Sequence, residues 1–142
     1  MVPTRPTYFL TCVAYRRRQA FLAPAAAKVA YETILRSAEM GRFRLHAFVI
    51  MPDHVHVLFE PGEKFSLERC VQFIKGGISF NLRETVKGEI WQREYHDHRV
   101  RDDDEFLAYR GYIERNPSKR GLKDWCWIWF ASGAKAPEIS AG

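Results

Sequence analysis

His46-Ala47-Phe48-Val49-Ile50-Met51-Pro52-Asp53-His54-Val55-His56-Val57-Leu58-Phe59 holds two apolar, β-branched-rich runs on either side of Pro52-Asp53. Strand-forming runs flanking two turn-forming residues predict a β-hairpin over Arg44 to Phe59. A two-residue connection pairs Met51 with His54 and Val49 with His56. Side chains two apart on a strand share a face, so both imidazoles point the same way, together with Ala47, Val49 and Met51. The opposite face carries Phe48, Ile50, Val55, Val57 and Phe59 and reads as the core surface. The same alternation puts His46 on the core side, as a satisfied interior histidine. Neutral imidazole is a common ligand for transition metals, which makes His54 and His56 candidate metal ligands. A lone His-x-His on a strand is more often structural, so a second element has to support that role.

Working outward, Tyr8 to Tyr15 reads as a first strand that ends in Arg16-Arg17-Arg18. Pro24 suits the first turn of a helix, where its missing N–H is harmless, and Gly41 stops the segment. After the hairpin, Ser66 is a predicted N-cap for a second helix with Leu67, Cys70, Val71, Ile74 and Ile78 as its apolar stripe. Gly76-Gly77 interrupts that pattern, either weakening the helix or permitting a close approach. Glu89 to Val100 is expected to be irregular or a short strand. Asp102-Asp103-Asp104-Glu105 marks the start of a third helix, where carboxylates favour the dipole. That helix is predicted to end at Asn116, because Pro117 cannot continue it. Leu122 to Phe130, with Trp125, Trp127 and Trp129 alternating, is predicted as a last strand or extended packing segment.

This order predicts an α+β chain: a ferredoxin-like antiparallel sheet with its first two helices on one face. The third helix is then free to cover the face that carries His54 and His56. Residues 1–130 read as one domain and 131–142 as a flexible tail. With 142 residues and 46% hydrophobic content, one domain with a real core is expected. No apolar run reaches membrane-spanning length and no signal-peptide pattern opens the chain. Cys12, Cys70 and Cys126 are odd in number and form no CxxC, as expected of reduced thiols in a cytoplasmic protein. A net charge of +5 favours polyanionic partners. Arginines near aromatics, in Arg16-Arg17-Arg18 and around Arg93, Tyr95, Arg99 and Arg101, with Lys75 on the second helix, suit phosphate contact and base stacking.

The third helix supplies the second element. Tyr112 and Asn116 stand at i and i+4 and are neighbours on one helical face, beside a docking stripe of Phe106, Tyr109 and Ile113. His54-Val55-His56 after Met51-Pro52-Asp53, then Trp91-Gln92, then Tyr112-Ile113 with Asn116-Pro117 and Gly121-Leu122, resembles the REP-associated tyrosine transposases. Those are relatives of the single-tyrosine HUH transposases of small insertion sequences, with Val55 as the middle, hydrophobic residue. The resemblance covers Tyr8 to Phe130.

It implies a ferredoxin-like fold and a divalent cation, Mg²⁺ or Mn²⁺, held by His54 and His56. The family's third ligand, a polar residue one turn beyond the tyrosine, falls on Asn116. It further implies that Tyr112 attacks a phosphodiester of single-stranded DNA, forms a 5′-phosphotyrosine and frees a 3′-hydroxyl, near hairpin-forming palindromic repeats. Relatives act as monomers or as homodimers. This chain has Asp53 where the family more often has Asn.

The residues leave two other readings in play. One is a ferredoxin-like module that binds nucleic acid without cutting it; the other is a metal-dependent hydrolase with a structural Tyr112. His96-Asp97-His98 is a second histidine pair, read as an alternative metal site or as a contact to DNA or the leaving group.

Overall fold

In the computed structural model, which describes residues 5–131, the predicted hairpin forms with the predicted register. Strand β2 (Phe43–Met51) and strand β3 (His54–Pro61) flank Pro52-Asp53, and Met51 pairs with His54 and Val49 with His56. Strand β1 (Thr7–Val13) lies antiparallel to β3, and strand β4 (His96–Val100) lies antiparallel to β1 at the sheet edge. Strand β5 (Ile128–Phe130) adds to β2 at the other edge, giving the order β4-β1-β3-β2-β5. The first four strands have the ferredoxin-like arrangement.

Helix α1 (Pro24–Glu39) and helix α2 (Leu67–Asn81) cover one face. Phe48, Ile50, Val55, Val57 and Phe59 meet Ala30, Ile34, Cys70, Ile74 and Ile78 there in the larger core. Pro24 occupies the first turn of α1, and Ser66 Oγ accepts the Arg69 N–H at the start of α2, a cap contributing about 1 kcal/mol. Helix α3 (Asp103–Lys119) covers the opposite face, where Phe106 and Ile113 pack on Phe9, Ala47, Val49, Met51 and Leu58. Asp102 caps α3 through the Glu105 N–H, so the acidic run is indeed a helix start. Among the described residues no helix is long and apolar enough to cross a membrane, and Cys12, Cys70 and Cys126 are free thiols.

Four expectations need correction. Helix α3 does not end at Asn116 but carries Pro117 inside and runs to Lys119. Proline gives up its own N–H bond and crowds the carbonyl four residues back, but here its ring is buried and its carbonyl accepts from Arg120 and Leu122, so one more turn closes. His46 does not face the α1/α2 core. A bulge between Leu45 and Ala47 breaks the alternation and sets its ring edge-on to Phe106 of α3, at 5.2 Å between centroids. Its Nε2 is buried with no partner, so it is not satisfied either. Of the two readings of Leu122 to Phe130, a strand holds only for its final three residues, while before them the Trp127 carbonyl accepts from the Ile50 N–H and Trp125 Nε1 donates to the Ile50 carbonyl. The first strand stops at Val13, and Tyr15–Arg17 is a 3-10 turn. The tail expected over 131–142 lies, apart from Ala131, outside the described residues.

Candidate active site

The β2–β3 turn is clasped from the side. The Ala14 N–H donates to the Asp53 carbonyl and the Phe21 N–H to the Pro52 carbonyl, which ties the end of β1 and the start of the α1 segment to the histidine hairpin. His54 and His56 stand next to each other on the α3 face, with ring centroids 4.6 Å apart and planes at 73°. Both are about 5% exposed. Tyr112 projects from α3 so that its ring lies edge-on to His56 at 5.2 Å. Asn116, one turn further along, is also 5% exposed. A cavity of about 490 Å³ opens over these four residues and is bounded by Thr11, Arg17, Lys119 and Arg120.

Each imidazole is held by its Nδ1. His56 Nδ1 lies 2.9 Å from Thr11 Oγ1, and His54 Nδ1 lies 2.7 Å from Asp53 Oδ1. The Nε2 atoms are left for the cavity, and His56 Nε2 is buried without a partner, as is the Asn116 side-chain oxygen. Buried polar atoms without partners are uncommon and call for an explanation. An imidazole nitrogen and an amide oxygen without partners, on residues that line one cavity, are a donor set that a hard or borderline divalent cation accepts. Among the described residues no three His, Cys, Asp or Glu side chains converge as a metal-binding group.

Burial pushes the His56 imidazole down to about 3, with the neighbouring His54 and Arg17 acting in the same direction. Burial lowers His54 too, against the opposing pull of Asp53. Both rings are therefore neutral near pH 7, the form that ligates. Burial alone would raise the Asp53 carboxyl, but the hydrogen bond from His54, with Arg17 and Arg120 beside it, holds it below its ordinary value. Asp53 Oδ2 lies 3.1 Å from Arg17 and 3.5 Å from Arg120. Phe9 supports the site from below. It stacks on His56 at 5.0 Å and on Tyr109 at 4.3 Å, and meets the Tyr112 ring edge-on at 6.0 Å. Tyr109 thus belongs to the packing stripe, while Tyr112 is 39% exposed.

The basic residues singled out in the sequence do not gather in one place. Arg17 reaches the cavity. Arg16 is exposed with its guanidinium over Tyr15. Arg18 instead clamps the carbonyls of Lys87 and Glu89, and Lys75 those of Gln92 and Arg93. Lys75 also sits over Tyr95 on the α2 side of the sheet, away from the imidazoles, and Arg93 lines the same α2-side groove. Arg99 is exposed on edge strand β4, and Arg101 pairs with Glu105. His98 Nε2 is taken by Glu105 at 3.1 Å, while His96 is exposed opposite Thr11. Sequence reading missed Thr11, Phe9, Lys119 and Arg120. Arg120 continues the four-residue spacing of Tyr112 and Asn116, which was a usable signal; Thr11 offered only a hydroxyl in an apolar strand.

Residues 5–116 match the family described as Transposase IS200 like. The chain belongs to that family. It is 29% identical to a Haemophilus influenzae protein provisionally named a REP-associated tyrosine transposase, over 91% of this chain and 82% of that one. It is 27% identical to the REP-associated tyrosine transposase of Escherichia coli K12, over 84% and 73% of the two chains. Its fold matches the structure of a REP-associated tyrosine transposase bound to a REP hairpin, with a TM-score of 0.73 at 22% identity over 90% of this chain and 78% of that one. The resemblance carried by the sequence motifs is thereby borne out, and membership of the family makes the chain a transposase that acts on DNA.

Proposed function

We propose that this transposase cuts and rejoins single-stranded DNA beside hairpin-forming repeats, with Tyr112 as the nucleophile. The observation that carries the reading is the placement of the Tyr112 ring against His56 at a cavity lined by His54, His56 and Asn116, where His56 Nε2 and Asn116 Oδ1 are buried without partners. His54, His56 and Asn116 would hold a divalent cation, Mg²⁺ or Mn²⁺. When bound, that ion supplies a Lewis acid that polarises the scissile phosphate and offsets the charge that develops there.

The chain's own residues do the rest. Arg17, Lys119 and Arg120 at the cavity wall attract the phosphodiester and orient it. Tyr112 Oη loses its proton to solvent and bonds to phosphorus, the bond from phosphorus to the 3′-oxygen breaks, and that oxygen leaves as a hydroxyl after taking a proton. The products are a 5′-phosphotyrosine and a free 3′-hydroxyl. Attack by the 3′-hydroxyl of a second strand reverses the step and releases Tyr112. One phosphodiester replaces another, so no nucleotide energy source is required. The working unit is a monomer or a homodimer. The relative seen with a REP hairpin supports hairpin DNA as the substrate class, and work on genomic repeats fits a cytoplasmic protein.

The test is a denaturing gel after incubation with Mn²⁺ and an end-labelled single-stranded hairpin oligonucleotide. The expected result is a protein–DNA adduct that Tyr112→Phe abolishes. Cleavage without an adduct would instead make the protein a metal-dependent hydrolase. A metal-independent mobility shift without cleavage would make it a binding module.

A further inference from the structure

Asp53 sits in the turn before His54 with only 8% of its side chain exposed, yet both of its oxygens are engaged. Oδ2 faces Arg17 and Arg120 at 3.1 and 3.5 Å, and Oδ1 faces His54 Nδ1 at 2.7 Å. If the carboxylate served only as a counter-ion for the arginines, nothing would require the shorter contact to the imidazole. We propose that Asp53 is the positioning residue of this site, fixing His54 as the Nδ1–H tautomer so that a bare Nε2 faces the cavity.

The argument is one of donors and acceptors. An ionised carboxylate can only accept, so the nitrogen against it must carry the proton. A neutral imidazole has one N–H, so His54 Nε2 is left as an acceptor with a free lone pair. The partner of His56 is different in kind. A threonine hydroxyl either donates or accepts, so Thr11 orients the His56 ring without dictating its tautomer. The two imidazoles therefore depend on their neighbours unequally, and His54 is the one set by charge. A carboxylate behind a ligating imidazole also increases its basicity.

Three separate elements hold the carboxylate in place. Asp53 itself is in the β2–β3 turn, Arg120 follows the end of α3, and Arg17 comes from the 3-10 turn after β1. Arg16 and Arg17 have φ of 52° and 53°, consecutive left-handed conformations that are strained for non-glycine residues. Such strain persists only where the surroundings enforce it, and here it accompanies an arginine delivered to Asp53.

The inference rests on the reading of His54 as a ligand, but its decisive measurement needs no metal. Long-range ¹H–¹⁵N correlation spectra of ¹⁵N-histidine-labelled protein, stripped with EDTA at neutral pH, report each ring's tautomer. His54 is expected as Nδ1–H in the wild type and in Asp53→Asn, whose amide oxygen still accepts, and as largely Nε2–H in Asp53→Ala. Titration of the folded proteins with Mn²⁺, followed by the loss of the free-ion EPR signal, gives the second readout. Affinity should fall about 10–100-fold in Asp53→Ala and stay within about threefold of wild type in Asp53→Asn and in the Arg17→Ala/Arg120→Ala double variant.

A wild-type His54 protonated on Nε2 overturns the proposal, and it does so even where Asp53→Ala fails to fold. So does a double variant whose Mn²⁺ loss equals that of Asp53→Ala, because the effect would then run through the arginines. A wild type with the Nδ1–H tautomer but no Mn²⁺ binding overturns the metal reading above and leaves the tautomer assignment standing.

Discussion

His46 differs from the other two hairpin histidines in that neither Thr11 nor Asp53 holds its ring. Its Nε2 is enclosed without a hydrogen bond, and burial, assisted by Arg44, pushes its proton affinity down to about 4. In the unfolded chain the ring titrates near its ordinary value of about 6.5. Between those two values the unfolded state binds the extra proton, so folding stability rises with pH through that window and is progressively lost as pH falls through it. The loss from pH 7 to pH 5 is about 2 kcal/mol from this residue alone. His54 and His56 contribute with the same sign, so the measurement is a comparison. His46→Phe keeps a ring against Phe106, and in urea denaturation at pH 7 and pH 5 it should lose about 2 kcal/mol less than wild type. Equal acid sensitivity in the two proteins would show that His46 escapes its buried setting.

Among the elements, the α1/α2 pair explains why Gly76-Gly77 leaves α2 unbroken. A Cβ on Gly77 would come within 2.9 Å of Thr33 Cγ2 on α1, whereas a Cβ on Gly76 would meet nothing within 4 Å. Neighbouring glycines therefore give opposite expectations. Gly77→Ala forces the β-branched Thr33 or its helix to move and should destabilise by about 1–3 kcal/mol. Gly76→Ala should stabilise by about 0.5–1 kcal/mol through lost freedom in the unfolded chain. Thermal unfolding of the two variants checks both signs, and equal shifts would refute the close helix contact. The same contrast explains what was legible in the sequence. The hairpin register, the α2 cap and the Tyr112–Asn116 face were legible because each depends on residues a few positions apart. His46 was misread because a bulge, which composition does not announce, shifts strand parity. Asn116–Lys119 was misread because the missing N–H and the ring clash of proline are local penalties, and burial of Pro117 offsets them. The partnerships Thr11–His56 and Arg120–Asp53 span 45 and 67 residues, and only the folded sheet brings them together.

At the scale of the molecule, a charge of +5 says less than which cations are free to meet DNA. Arg18 and Lys75 spend their donors on backbone carbonyls, holding the segment before β4 against the 3-10 turn and α2. Arg16 stands exposed, with its guanidinium over Tyr15, at the side of the fold where Arg17 enters the cavity. Phosphate contacts release counter-ions, so each one lost reduces the dependence of log affinity on log salt by about 0.7 for single strands. Arg16→Ala should therefore flatten the salt dependence of hairpin-oligonucleotide binding by about that amount and leave thermal stability unchanged. Arg18→Ala should do the reverse, lowering the unfolding temperature while the salt slope stays at the wild-type value. Fluorescence anisotropy across 50–300 mM salt, roughly the range over which such slopes are resolved, separates the two. If Arg18→Ala flattened the slope as well, its bonds to the carbonyls of Lys87 and Glu89 would have to give way when DNA binds, and the division between structural and DNA-facing cations drawn from this fold would fail.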